Sequence, residues 1–115
     1  MDTHESLSNI ATYVEKRLGR EMVLYCAGCS RNGWPKWPSV RLAVEMRIRY
    51  LHQIATILVE GCGVETAKKW LKERSRILEL NRDLRDKTPQ SAIRHAESIA
   101  DLEEVLAAAK AFVRP

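Results

Sequence analysis

Cysteine and histidine residues are the first candidates for chemistry, because both side chains bind transition metals and act as nucleophiles or bases. Cys26 and Cys29 form a Cys-x-x-Cys pair. A structural zinc ion needs four nitrogen or sulfur ligands, and the other candidates are Cys62, His4, His52 and His95. None of these makes a second pair at the spacing of a zinc motif. We therefore predict buried free thiols and no metal, with a zinc module as a distant alternative.

Catalytic constellations are also missing from the sequence. No serine, cysteine or carboxylate is spaced to form a recognisable triad or acid–base pair with His52 or His95. The chain has no glycine-rich phosphate loop either. We predict that the protein is not an enzyme and that it uses no cofactor.

Basic residues in the first half of the chain point instead to binding. The 115 residues carry a net charge of +4, and most of the excess precedes residue 50. Residues 20–27, a Gly28-Cys29 turn and residues 30–37 have the length of a helix-turn-helix, whose second helix reads bases in the major groove. Gly33 and Pro35 make this motif degenerate. The candidate DNA contacts are Arg20, Ser30, Arg31, Asn32, Lys36 and Arg41. The alternative interpretation is a solvated loop with ordinary surface charges.

The elements that must position these residues are all helical. Apolar residues recur at helical spacing, and strand-like alternation is absent. Capping residues mark several starts, and glycines mark several ends. We predict helices over residues 7–18, 20–27, 39–60 and 64–80, a short helix that Thr88 caps with Pro89 at its first position, and a last helix over residues 99–113.

The helix from Ser39 has an unusually wide apolar face. One stripe follows heptad spacing and a second lies beside it; together they comprise Val44, Ile48, Leu51, Ala55, Leu58, Tyr50, Ile54 and Ile57. A face this wide predicts a central helix that is covered on two sides, by the rest of the fold or by a second copy of the chain. The last helix has a narrower apolar face that ends in Phe112 and Val113.

Composition places the protein among soluble globular proteins. Hydrophobic residues make up 45% and charged residues 30% of the chain. No apolar run is long enough to cross a membrane, and the polar start does not resemble a signal peptide. With an odd number of cysteines and no secretory context, we expect a cytoplasmic protein with reduced thiols.

The second half resembles the Xre/MbcA/ParS-type antitoxins, in particular those paired with RES-domain toxins. Residues 46–60 are similar to the family's long linking helix, and Ala67 with Trp70-Leu71 is similar to the start of its toxin-binding domain. The spacing of Asn81, Leu84, Pro89 and Ile93 agrees with the family pattern, as does the alanine-rich stretch over residues 107–113. In the first half, only Lys36-Trp37 is similar to the end of the family's recognition helix.

The resemblance implies a two-part homodimer. Its N-terminal helices would bind operator DNA and autoregulate transcription, and its C-terminal helices would bind a toxin that consumes NAD and cover the entrance to its active site. The toxin-binding residues that it implies are Asn81, Arg82, Leu84, Arg85, Pro89, Ile93, Arg94, Phe112 and Arg114. Arginines at such a surface would make charge-assisted hydrogen bonds, and Phe112 would be an anchor.

We therefore predict an all-α antitoxin of a type II toxin–antitoxin system. Residues 1–38 would form a degenerate helix-turn-helix-like bundle, residues 39–63 a long central helix and residues 64–115 a small toxin-binding-like helical domain. The alternative is a phage-like, stand-alone transcription regulator that uses its C-terminal domain for dimerisation.

Overall fold

The protein folds into α-helices packed around one long central helix. The computed structural model describes residues 6–29, 35–36, 40–73 and 88–114, and within them every regular element is helical, which confirms the all-α prediction. The helices in chain order are α1 (Leu7–Leu18), α2 (Arg20–Ala27), α3 (Leu42–Cys62), α4 (Val64–Lys72), α5 (Pro89–Arg94) and α6 (Ile99–Val113).

Side-chain caps explain why three of the helices begin where the sequence predicted. The hydroxyl oxygen of Ser6 accepts a hydrogen bond from the Asn9 amide at 3.2 Å, and Ser98 accepts one from the Asp101 amide at 3.3 Å. Thr88 accepts one from the Ser91 amide, with Pro89 in the first turn. Each cap satisfies a backbone N–H that has no partner inside its helix, so α1, α5 and α6 start at the predicted residues.

The central helix α3 buries both of its predicted stripes except for Ile57, which is half-buried. Ile48, Leu51, Ile54, Ala55 and Leu58 have no exposed surface. Helices α1, α2, α4, α5 and α6 all contact α3, so the same chain covers its wide apolar face. The core cluster draws on residues from all three predicted segments, from Leu7 to Ala109.

Helices α3 and α6 run side by side in the same direction. Near their starts, the Arg47 side chain reaches the carbonyl of Ala96. One turn further on, the hydroxyl of Tyr50 donates to a Glu103 carboxylate oxygen, and this acceptor raises the pKa of the tyrosine. The buried face of α6 comprises Leu102, Val105, Leu106, Ala108 and Ala109. Most of the predicted apolar face of α6 therefore stabilises the protein's own fold.

Three predicted helix boundaries were wrong: both ends of α3 and the end of α4. Helix α3 begins at Leu42 and ends at Cys62, because Arg41 is extended (φ −65°, ψ 155°) and Gly63 has a positive φ of 89°. Helix α4 ends at Lys72, because Glu73 is extended (φ −109°, ψ 156°). No glycine or proline marks this end, so the apolar periodicity alone predicted a helix that continued to residue 80. Residues 74–87 lie outside the described part of the chain.

No helix of the described residues is both long enough and apolar enough to cross a membrane.

Candidate partner-binding surfaces

The C-terminus of α2 is the junction from which the first candidate surface is built. Gly28 adopts the left-handed conformation (φ 83°, ψ 23°). The Cys29 amide donates to the Leu24 carbonyl at 2.9 Å, and the Gly28 amide donates to Tyr25 at 3.1 Å. These two bonds form a Schellman motif, which satisfies carbonyls that the helix itself leaves unpaired. A Cβ on Gly28 would lie 2.9 Å from Arg47 Nη1, so glycine also leaves room for that side chain.

Two arginines also bind carbonyls at this helix end: Arg47 binds that of Ala27, and Arg94 is a second donor to that of Tyr25. Arg47 of α3 donates from Nη1 to the Ala27 carbonyl and from Nη2 to the Ala96 carbonyl, each at 3.2 Å. Arg94 of α5 donates from Nη1 to the Tyr25 carbonyl at 2.8 Å, and its guanidinium lies 4.8 Å from the Tyr25 ring centroid. Cations are favourable at a helix C-terminus, where the dipole is negative. The two arginines thus fix α2 against α3 and α5.

A basic groove opens between α2, α4 and α5. It encloses about 640 Å³. Its cationic side chains are those of Arg20, Lys68, Lys72 and Arg94, and Glu21 is the one carboxylate among the described residues that line it. The apolar part of the lining is formed by Leu18, Met22, Leu24 and Tyr25. The groove therefore combines positive charge with an apolar floor, and it suits a ligand that carries both carboxylates and apolar groups.

The thiols near the groove are protonated at neutral pH. Burial raises the pKa of Cys26 to about 12, and its Sγ lies 3.9 Å from the Met22 sulfur. Cys29 lines the groove; burial raises its pKa also, although the charges of Arg94, Arg47 and Arg41 oppose this rise. Cys26 is buried as predicted, whereas Cys29 and Cys62 are only half-buried. Neither half of the Cys-x-x-Cys pair is an activated nucleophile, because nucleophilicity belongs to the thiolate.

The second candidate surface is the Phe112 edge, which we define as Phe112, the Trp70 ring that it contacts, and Arg114. The Phe112 side chain is 44% exposed, and its ring centroid lies 5.9 Å from that of Trp70, which is itself only 7% exposed. Val113 fixes the last turn of α6, because it packs so closely against α3 that a Cβ on Gly61 would lie 2.8 Å from it. A rigid helix thus presents a half-exposed aromatic side chain.

Helix α4 contributes to both surfaces from opposite faces. Lys68 and Lys72 are one turn apart and line the groove, whereas Trp70 lies between them in sequence and is turned about 200° away. The Trp70 face of α4 is buried along with Ala67 and Leu71.

The structure regroups the residues predicted to bind DNA and toxin. Arg20 and Arg94, predicted for two different partners, line the same groove. Arg20 also pairs with Glu15 at 3.1 Å. Lys36 and Arg41 are exposed, and the charge of Arg41 acts on Cys29. Outside the described residues lie Ser30, Arg31, Asn32, Asn81, Arg82, Leu84 and Arg85.

Pro89 and Ile93 require a correction. Both were predicted to contact a toxin, but both side chains are less than 2% exposed and belong to the core. In this fold Pro89 lies in the first turn of α5, and Ile93 anchors that helix in the core. Phe112 and Arg114, by contrast, are exposed as a binding role requires.

Lys68, Lys72, Tyr25 and Arg47 were missed by the sequence analysis. The i, i+4 spacing of Lys68 and Lys72, opposite the apolar stripe of α4, was a signal for a basic face. No local sequence signal indicates that Arg47 binds the end of α2 or that Tyr25 contacts Arg94.

Among residues 6–29, 35–36, 40–73 and 88–114, no three histidine, cysteine or carboxylate side chains are grouped closely enough to hold a metal ion. His52 packs edge-on against Tyr13, with ring centroids 5.0 Å apart.

Comparison with protein-family models, with curated proteins and with solved structures gives no match to this chain.

Proposed function

We propose that the protein is an antitoxin-type binding protein, which neutralises a RES-type, NAD-consuming toxin by covering its active-site entrance. The observation that carries this proposal is the Phe112 edge. Phe112 remains 44% exposed at the end of a helix whose other large apolar side chains, apart from Ile99 at its start, are withdrawn into the core. The resemblance to the antitoxin family is the reason for proposing a RES-type toxin as the partner.

The Phe112 edge has the properties of an interface anchor. Aromatic and arginine side chains contribute most to protein interfaces, and here Phe112 and Arg114 are two residues apart. Phe112 rests on Trp70, so little conformational entropy remains to be lost when a partner binds. A partner that covered Phe112 would remove its exposed apolar surface from water, which is favourable. Steric occlusion of a pocket needs no chemistry from the occluding protein.

Co-expression in growing cells tests this function. The product of the neighbouring gene is induced alone, with the wild-type protein, and with the variants Phe112→Ala and Ile99→Ala. We expect growth arrest by the gene product alone and rescue by the wild type. Phe112→Ala should rescue poorly, whereas Ile99→Ala, which removes a 53% exposed apolar side chain from the other end of α6, should rescue fully.

Equal rescue by the two variants would contradict a binding role for Phe112. No arrest by the neighbouring product, combined with a gel shift of upstream DNA that weakens steeply with salt, would favour the transcription regulator. Operator binding and homodimerisation, which the resemblance also implies, are further expectations that gel shift and sizing can check.

A further inference from the structure

We infer that the basic groove binds an acidic, partly apolar segment of a partner protein. In this arrangement carboxylates of the segment pair with Lys68 and Lys72, and an apolar side chain lies on the Leu24–Tyr25 floor. Only the identity of the partner rests on the proposed function: the segment would then belong to the toxin that the protein neutralises.

The first support is the charge that is left unpaired in the groove. Arg94 is engaged with the Tyr25 carbonyl at 2.8 Å, and Arg20 with Glu15 at 3.1 Å. Lys68 and Lys72 differ, because neither has an acidic partner or a hydrogen-bond acceptor within the described part of the chain. Among the described residues that line the groove, Glu21 is the one carboxylate against four cationic side chains, so these residues carry a positive excess. An anionic ligand is therefore complementary to it.

The second support is the spacing of the two lysines. They lie at positions i and i+4 of α4, so about 6 Å separates their starting points along one helix face. Carboxylates at i and i+4 of a helix, or at i and i+2 of a strand, have a similar separation. A regular acidic segment can therefore reach both ammonium groups at once.

The third support is the apolar floor. Leu18, Met22 and Leu24 line the groove but are at most 5% exposed, whereas Tyr25 is 36% exposed. The accessible apolar surface is therefore mainly the Tyr25 ring. A free phosphate would leave this ring in contact with water, whereas a peptide with an apolar side chain between its carboxylates would cover it. The volume of about 640 Å³ is of the size that small ligands and a few side chains occupy.

The shape of the groove favours a peptide over duplex DNA. DNA-binding helices protrude so that they can enter the major groove, and phosphate-binding cations flank them on an open surface. Lys68 and Lys72 instead line a recess between three helices. A duplex presents its phosphates on a convex surface, which cannot follow the recess to its apolar floor.

Fluorescence anisotropy with defined probes tests the inference on the full chain. The first probe is a fluorescein-labelled helical peptide with glutamates at i and i+4 and leucine between them. The second replaces each glutamate with glutamine, and the third is a labelled DNA duplex. We expect the wild type to bind the glutamate peptide at least about tenfold more tightly than the glutamine peptide, a difference that corresponds to about 1.4 kcal/mol.

Charge reversal assigns this binding to the groove. Lys68→Glu with Lys72→Glu should weaken binding of the glutamate peptide by about tenfold or more. The matched control, Lys69→Glu with Lys110→Glu, changes the net charge equally at two exposed positions outside the groove and should bind within about twofold of wild type. Circular dichroism checks that both double variants keep their helix content.

Three results would overturn the inference: no preference for the glutamate peptide, equal losses in the two double variants, or a duplex that binds through Lys68 and Lys72 when the peptide does not. None of these results would bear on the growth-rescue test of the proposed function. Conversely, peptide binding without growth rescue would contradict the proposed function and leave the chemistry of the groove in place.

Discussion

Replacing Arg47 with methionine should destabilise the protein far more than the same replacement at Arg49. Arg47 donates two hydrogen bonds of 3.2 Å, one to the end of α2 at Ala27 and one to Ala96 before α6. Methionine keeps most of the aliphatic stem, so the change removes the guanidinium and little packing. Arg49 is the control, because its bond to Glu45 at 2.8 Å is a half-exposed i, i+4 ion pair on the same helix.

The magnitude follows from the groups that are left unpaired. A hydrogen bond from a charged donor contributes about 1.5–3 kcal/mol, and Arg47 makes two of them to partly buried carbonyls. The buried Nε of Arg47 has no acceptor within the described residues, and its removal recovers part of this loss. We expect a net cost of about 3 kcal/mol for Arg47→Met. Exposed i, i+4 pairs contribute about 0.5 kcal/mol, which is the expected cost of Arg49→Met.

Urea unfolding followed by circular dichroism measures both costs. Thermal melts give an independent check: at about 4 °C per kcal/mol, the Tm of Arg47→Met should fall by roughly 12 °C, against about 2 °C for Arg49→Met. Equal losses of stability in the two variants would refute the reasoning, because they would mean that the carbonyls of Ala27 and Ala96 are satisfied without Arg47.

Three further changes test other parts of the fold. Gly61→Ala should destabilise the protein by about 1–2 kcal/mol in thermal melts despite the helix propensity of alanine, because its Cβ would lie 2.8 Å from Val113 Cβ; a stabilised variant would show that α6 does not pack there. Burial raises the pKa of the Cys26 thiol from 9.0, its ordinary value, to about 12 in the folded protein. Above pH 9 the unfolded chain loses this proton while the folded protein keeps it, so the free energy of unfolding should fall by up to about 4 kcal/mol as the pH rises to 12. Cys26→Ala should flatten the fall in unfolding free energy across this window, and an unchanged pH profile would contradict the burial. Phe112→Ala should cost about 1 kcal/mol in urea unfolding, because 44% of the side chain is already exposed; a loss above about 3 kcal/mol would identify Phe112 as core.

Local signals predicted most of the helices. Ser6, Thr88 and Ser98 cap helices as their side chains and positions indicated, and the glycines at 19, 28 and 63 end helices through positive φ values. The apolar spacing also predicted the burial of α3. The prediction was wrong at Glu73, whose extended backbone ends α4 without a glycine or proline. It was also wrong at the start of α3, which was predicted at residue 39 but lies at Leu42.

The candidate surfaces depend on contacts between distant residues, which periodicity does not reveal. Beside the groove, Arg94 reaches Tyr25 across 69 positions and Arg47 reaches Ala27 across 20. Without that arrangement, Arg20 and Arg94 were predicted to bind different partners. The sequence allowed Phe112 to be either buried or exposed. Its exposed fraction follows from the packing of Trp70 and Val113, which the sequence does not reveal.

Titration of a purified RES-type toxin with the protein, with NAD consumption as the readout, tests the central claim most directly. We predict that consumption falls to the background rate at a stoichiometric amount of the wild type, and that Phe112→Ala needs a markedly higher concentration for the same inhibition. Undiminished NAD consumption at a large molar excess of the folded wild type would contradict the account.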